Sequence, residues 1–283
     1  MNKNNIVNIL KQSSFSSEFI NYIENNFPEN YNKKFNNPYY MNYLGNPLLD
    51  LSPEKRLIES LAQLISLKKH YTTKGIPLVH LYESIYDLSY RLERYYKKHG
   101  IYGLSERDIR WLSPLYRADI FDLGSLRFEI SNFSYEEIER SDYEYMPLNQ
   151  KWKNRFPEGT PIITIHILKD TDFRPDKVDQ ALAQALNFFK RYFSEHDYQV
   201  FVCRTWLLYG RTREILGEDS NIVSFSKRFK TIAEHKNAKQ ALDRIYGTSD
   251  LDVIEGMEKN SSLAKVAYKN LSKLGVGAGI IYK

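Results

Sequence analysis

A single cysteine, Cys203, stands in a chain of 283 residues. One thiol forms no intramolecular disulfide and builds no cysteine-based zinc cage, so this usage fits a reducing compartment and makes the cytoplasm the expected location. Long apolar runs are missing too. No window approaches the roughly 18 apolar residues of a membrane helix, and Met1 to Phe15 lacks the compact apolar stretch and small-residue cleavage site of a secretory signal. No P-loop is present, and no G-x-S-x-G elbow marks a serine hydrolase. The glycine-dense stretch Gly275-Val276-Gly277-Ala278-Gly279 precedes a strand, whereas a dinucleotide fingerprint follows a strand and opens a helix. Its glycines instead permit a tight turn or a close approach of two backbones. Repeats, low-complexity linkers and heptad runs are absent. The charge excess is slight, with 40 Lys and Arg against 35 Asp and Glu giving a net +5. Its densest basic groups, Lys68-Lys69 and Arg94 to Lys98, sit beside acids on helical patterns, as solvated helix faces do. Nucleic acid is therefore not an expected partner.

What is present divides at about Phe121, and the expected domains are a helical region over 1–121 and an α/β region over 122–283. Ile6, Ile9 and Leu10, then Phe19, Ile20 and Ile23, predict two short helices between Asn2 and Tyr31, and Asn30 to Pro47 reads as irregular. Ser52-Pro53-Glu54 is a strong helix start: a hydroxyl N-cap, a proline where its missing N–H costs nothing, and an acid for the dipole. Leu57, Ile58, Leu61, Leu64 and Ile65 continue it at helical spacing. A further helix is expected from Val79 to Lys98, closed by His99-Gly100. Ser105 to Asp108 resembles a capping arrangement for a short helix through Trp111, and Ser113-Pro114 starts another, keeping the chain helical to about Phe121.

The period changes at Leu123. Leu126, Phe128 and Ile130 alternate with Arg127 and Glu129, as in a half-buried strand. A second strand is possible near Tyr143 to Leu148. Ile162 to Leu168 is a nearly continuous β-branched run, the composition of a central strand covered on both faces. After a polar loop, Lys169 to Pro175, comes an amphipathic helix with Val178, Ala181, Leu182, Ala185, Leu186, Phe189 and Phe193 on one face. Tyr198 to Leu208 reads as a strand running into a short helix, Asn221 to Phe225 as a third strand, Ala238 to Tyr246 and Leu263 to Leu274 as helices, and Gly275 to Tyr282 as a final strand. Strands alternating with helices imply an α/β (α+β) fold whose sheet is at least partly parallel.

Two constellations can carry chemistry. His166 lies inside the strongest strand and shares a face with Ile162, Thr164 and Leu168. An unperturbed imidazole can take or give a proton near neutral pH, so His166 is either a general base facing a cleft or a core histidine bonded to a carbonyl. Cys203-Arg204-Thr205-Trp206 ends the next strand, and strict alternation puts Arg204 and Trp206 on one face and Cys203 and Thr205 on the other. An arginine and an indole at a strand end suit a ligand site of an open α/β sheet, whereas the lone cysteine reads as a small buried hydrophobe. Asp219-Ser220-Asn221 is a turn candidate, since these side chains bond their own backbone.

Ile165-His166-Ile167, Ala181 to Ala185 with Phe188-Phe189, Phe201-Val202-Cys203 with Trp206-Leu207-Leu208, and Ser220-Asn221-Ile222 with Phe225 and Arg228-Phe229 occur in this order. With Gly103-Leu104 and Leu123-Gly124-x-Leu126-x-Phe128-Glu129 upstream, they resemble the GNAT-like C-terminal domain of a bacterial acyltransferase-domain family, over about Gly100 to Tyr282. The N-terminal part resembles that family's helical partner domain more loosely. The fold this implies is a helical domain packed on a GNAT-like mixed sheet with flanking helices. The implied activity is transfer of an acyl group from a small-molecule donor, an acyl-coenzyme A thioester, to an amine whose identity the resemblance does not give, with no metal.

On that resemblance His166 is the catalytic base and Tyr209 the acid for the leaving thiolate. Ile167, Leu168, Arg174, Lys177 and Trp206 line the coenzyme A site, while Arg204, Ser220, Asn221 and Arg228 meet the acceptor. The pantetheine arm enters where the central strand splays from Gln199 to Trp206, and the start of the following helix receives the pyrophosphate. Two departures stand out: Asp170 to Pro175 has no glycine where the family's loop is glycine-rich, and Arg204-Thr205 and Leu168 replace the usual His-Ser and proline. The glycine-free loop supports an alternative, a catalytically inactive GNAT-like scaffold that binds a small molecule or protein through Trp206, Asn221 and Arg228.

Overall fold

The computed structural model describes residues 3–29, 31, 47–139, 145–168 and 171–283. The chain forms two compact units, Met1–Asp122 and Leu123–Lys283. The first holds α1 (Lys3–Lys11), α2 (Ser17–Asn26), α3 (Pro53–Lys74), α4 (Leu78–Ser84), α5 (Tyr86–His99) and α6 (Glu106–Tyr116). Its helix starts follow local chemistry: Ser52 caps α3 with Pro53 behind it, and Ser105 and Asp108 form a complete capping box on α6. Gly100 closes α5 at φ 70°. Two expectations are corrected. Val79 to Lys98 is not one helix, because the backbone leaves helical geometry at Ile85 and the buried Ser84 hydroxyl accepts the Asp122 amide instead. Ser113-Pro114 starts nothing: Ser113 Oγ donates to the Ile109 carbonyl inside α6, and Pro114 is tolerated because the helix ends two residues later, at Tyr116.

The buried ions of this unit are held by multiple partners. Asp108 accepts from Arg91 and Arg94 as well as from its own cap, and Asp87 accepts from Arg91 and from the Trp111 indole at 2.7 Å. Arg56 donates to the carbonyls of Leu48, Leu49 and Leu104. Such groups stay charged inside a protein only when paired and hydrogen-bonded this way.

The chain then enters β1 (Ile120–Leu123) and β2 (Leu126–Asn132), so it turns to strand before Phe121, where a helix was expected to persist. There follow α7 (Tyr135–Glu139), β3 (Tyr145–Met146), α8 (Gln150–Arg155), β4 (Pro161–His166), α9 (Pro175–Tyr192), β5 (Val200–Thr205), α10 (Gly210–Leu216), α11 (Asn221–Ser226), β6 (Lys230–His235), α12 (Lys239–Tyr246), α13 (Leu251–Gly256), α14 (Ser262–Lys269) and β7 (Val276–Tyr282). The mixed seven-stranded sheet runs β1-β2-β4-β5-β7-β6-β3. Only the β4–β5 ladder is parallel among the registers β2–β4, β4–β5, β5–β7, β6–β7 and β3–β6.

Asn221 to Phe225 is helix, not the third strand expected. Ser220 caps it by accepting the Ile222 amide, and a hydroxyl cap ahead of Ile222, Val223 and Phe225 outweighs their preference for strand. The strand is β6, whose Lys230, Thr231 and Glu234 hide it from a hydrophobic scan. The helix expected over Leu263 to Leu274 ends at Lys269 and is followed by a separate 3₁₀ turn, Leu271–Lys273. The possible strand near Tyr143 is the two-residue β3, with residues 143 and 144 outside the described set, as are Lys169 and Asp170 and the irregular stretch at 30 and 32–46.

Register sorts the sheet's side chains. Phe128, Ile130, Ile163, Ile165 and Phe201 point to one face, where α9 lays Val178, Ala181, Ala185 and Phe189. Phe128 meets Phe189 and Phe201 edge-on, and burial of each large apolar side chain contributes about 1.5–3 kcal/mol. On the opposite face, Ile162, Val200, Val202, Ala278 and Ile280 form a core with Ile138, Leu148, Trp152 and Phe156 from the α7–α8 region. Toward the C-terminal end of β4 that second face turns polar.

Candidate active site

The polar end of the second face is built by β2, β4 and β5. Antiparallel pairing sets Arg127 opposite His166, Glu129 opposite Thr164 and Ser131 opposite Ile162, so all six share one face. Ser131 and Thr164 join hydroxyls at 2.7 Å, and one step along, His166 Nε2 lies 2.6 Å from Glu129 Oε2. The two side chains are partly accessible, 21% for His166 and 18% for Glu129, while Arg127 beside them is buried at 2%. His166 thus sits at the accessible, carboxylate-paired end of a strand whose other end is core. Sequence reasoning quoted Glu129 without giving it a role, because the register that brings it to His166 crosses 37 residues of chain.

Next to this pair the sheet opens. The β4–β5 ladder holds only Ile163↔Phe201 and Thr164↔Val202, yet β4 continues to His166 and β5 to Thr205. On its other side β5 stays paired to β7 as far as Thr205↔Gly277. The parallel strands therefore part at their C-terminal ends, with Ile165 and His166 on one side of the parting and Cys203 to Thr205 on the other.

The remaining candidates are distributed around this opening. Arg204 shares the His166 face through its register with Ala278, and its charge is one of the influences on His235. Trp206 does not join Arg204 on a face, as alternation suggested. The strand ends at Thr205, whose hydroxyl accepts the Leu207 amide, and a 3₁₀ turn carries Trp206 into a cluster with Leu207, Ala241, Leu242, Tyr246 and Leu274. Ile167 and Phe173 are partly buried against that cluster. Leu168 follows the end of β4 and its carbonyl accepts the Thr171 hydroxyl at 2.9 Å. Cys203 is buried, and burial pushes its thiol well above the ordinary range, which favours the neutral thiol over the thiolate.

Tyr209 is 7% exposed and lies against Gly275, where an added Cβ would stand 2.7 Å from its ring. Arg174 is the N-cap residue of α9 and is held by Asp172, whose carboxyl it keeps below the usual range. Arg228, two residues past α11, donates to Asp179 at 2.9 Å, to the Pro175 carbonyl and to the Ser224 carbonyl, fastening α11 to the start of α9. The amides of Lys177 and Val178 donate to the Arg174 carbonyl. Ser220 and Asn221 occupy the cap and first residue of α11, and Asn221 is exposed.

His235 lies on the same face but is buried, at 0% exposure, with Nε2 2.6 Å from the Ile138 carbonyl. Burial lowers its pKa, the Ile138 bond opposes the shift, Arg204 adds to it and Glu139 opposes it. The folded state therefore binds this proton less well than the unfolded chain, and the stability involved is present above the unfolded pKa of about 6.5 and is lost as pH falls toward the depressed folded value. Urea denaturation should show stability declining from pH 7.5 to 5.5, by at most about 1.4 kcal/mol per pH unit from this one group. His235→Asn should remove that part of the slope; an unchanged slope would refute the assignment.

A mixed sheet with one parting parallel pair, flanked by helices on both faces, defines the class. The family model described as the GNAT-like C-terminal domain matches residues 120–280, and the chain belongs to that family. Its fold is shared with solved acyltransferases. One, in complex with octanoyl-CoA, is 16% identical with a TM-score of 0.71, the match covering 100% of this chain and 88% of that one. Another, with decanoyl-CoA, is 18% identical with a TM-score of 0.69, covering 99% and 88%. A third, with decanoyl-CoA and teicoplanin, is 20% identical with a TM-score of 0.64, covering 80% of this chain but only 65% of that one, so the match spans just under two thirds of its length. At these identities the likeness is one of fold. A search of curated proteins returns no match. Among the described residues no helix is long and apolar enough to cross a membrane, and no group of three or more His, Cys, Asp or Glu side chains is set to hold a metal.

Proposed function

We propose that this chain transfers an acyl group from an acyl-coenzyme A thioester to the amine of a small-molecule acceptor, with His166 as the base. The observation that carries the reading is the parting of β4 from β5 beyond Thr164 and Val202 with His166 at its edge. A strand whose partner has left it presents backbone N–H groups to a ligand in the gap. The amine loses a proton to His166 as its nitrogen attacks the thioester carbonyl carbon. The tetrahedral oxyanion is held by those N–H groups, the C–S bond breaks, and the thiolate takes a proton, the step assigned to Tyr209. Ile167 and Trp206 supply an apolar wall for the donor. Arg174 and Lys177, at the start of α9, face its phosphates. Arg204, Ser220, Asn221 and Arg228 are assigned to the acceptor. A single buried thiol supports a reducing, cytoplasmic setting.

A second reading, the inactive scaffold, is favoured by one observation: Arg174 and Arg228 are already engaged by Asp172 and Asp179 at the start of α9. Calorimetry decides between them. Titration with octanoyl-coenzyme A is expected to give a saturable one-to-one isotherm. The absence of binding by acetyl-, octanoyl- and decanoyl-coenzyme A at millimolar concentration would leave the scaffold.

A further inference from the structure

We infer that Glu129 is the positioning residue of the site: its carboxylate holds the His166 ring by Nε2–H and leaves the ring's lone pair on Nδ1, the nitrogen that takes the amine proton. The inference rests on the acyl-transfer reading. An ionised carboxylate only accepts hydrogen bonds, so in the neutral ring the nitrogen 2.6 Å from Glu129 Oε2 must be the one that carries the proton. The basic site of the ring is then Nδ1. The lattice of the sheet fixes this geometry from both sides. Glu129 stands opposite Thr164 and His166 opposite Arg127, and the hydroxyl pair Ser131–Thr164 locks the same register one step away. Both partners of the pair are thus delivered by strands, and not by loops, which suits a site that must hold one ring orientation.

The carboxylate has a second consequence during reaction. When Nδ1 accepts the amine proton the ring becomes an imidazolium, and a carboxylate already bonded to Nε2–H stabilises that charge without rearrangement. Arg127 and Arg204 share the face, and Glu129 is an acid bonded to the ring on it. No proton needs to pass to Glu129: the balance is one N–H bond lost at the amine, one formed at Nδ1, one C–N bond made and one C–S bond broken.

The test compares the full-length wild type with Glu129→Ala, Glu129→Asp and His166→Gln, using octanoyl-coenzyme A and an excess of primary amine. Glu129→Ala is expected to lower kcat about 10–100-fold, the usual cost of losing such an outer partner, with KM for the acyl donor within about twofold. Glu129→Asp should recover part of that loss. His166→Gln should cost more than Glu129→Ala. In imidazole ¹⁵N spectra, assigned by its loss in His166→Gln, the wild type should show a protected Nε2–H that vanishes in Glu129→Ala. The inference is overturned if Glu129→Ala keeps kcat within twofold, or if the protected Nε2–H survives it. It is also overturned if Glu129→Ala costs as much as His166→Gln, since the carboxylate would then be the base itself. A wild type with no amine-dependent transfer would sink the acyl-transfer reading and the catalytic part of this role, whereas the pairing would still stand or fall on the Nε2–H signal.

Discussion

His166→Gln should fold normally and lose acyl transfer by about 10²–10⁴-fold, the contribution expected of a positioned general base. The two readings that the sequence left open expect different surroundings for the ring. A core histidine satisfied by a carbonyl is what His235 is, fully buried and bonded to Ile138. His166 differs: its partner is a carboxylate, its side chain is 21% exposed, and the strand that would cover its flank has turned away. A glutamine amide can still donate to Glu129 Oε2, so the substitution leaves no buried acceptor orphaned and the expected stability loss is small. What glutamine lacks is a lone pair of imidazole basicity. Thermal denaturation and turnover measured on one preparation check this. A destabilised protein with unchanged activity per folded molecule would remove His166 from the mechanism.

Gly277→Ala should act in the opposite manner, costing stability throughout. An added Cβ at Gly277 would stand 2.5 Å from the carbonyl carbon and oxygen of Leu208 and 2.9 Å from the Tyr209 nitrogen. These are backbone atoms of the turn that leaves β5, and no rotamer change moves them aside. Either β7 shifts away from β5 or the Trp206–Leu208 turn lifts off, at a cost of about 1–3 kcal/mol for overpacking, and more if neither can relax. Gly256 is the control: nothing lies within 4 Å of its added Cβ, and it ends α13. Gly256→Ala should be neutral or stabilise by up to about 1 kcal/mol, because only the unfolded chain notices. Chemical denaturation midpoints compare the two, and equal midpoints would show that the glycines of β7 are not there for close approach.

The sequence made this seam legible, since three alternate glycines at the start of a strand suit a tight turn or a close approach of two backbones. It also made legible whatever depends on neighbours in the chain: the Ser52-Pro53 start of α3, the Gly100 stop of α5, the β-branched run of β4 and the apolar face of α9. Failures arose where distant contacts decide. Lys230 to His235 looks polar because one side of β6 meets solvent, while Ile222, Val223 and Phe225 look like strand until the Ser220 cap is weighed. Trp206 was misplaced because alternation was carried one residue beyond the end of β5. Glu129 was invisible as a partner for the plainest reason: hydrophobic period assigns a residue to a face, but only strand register says which residue of the next strand it meets.

The most direct measurement of the central claim is the amine-dependent release of coenzyme A thiol from octanoyl-coenzyme A, followed by the mass of the acylated amine. The account predicts one amide formed per thiol released by the wild type, with His166→Gln binding the same thioester while releasing thiol about 10²–10⁴-fold more slowly. Thiol release at the same rate from both proteins, or none from a wild type that binds the thioester, would contradict it.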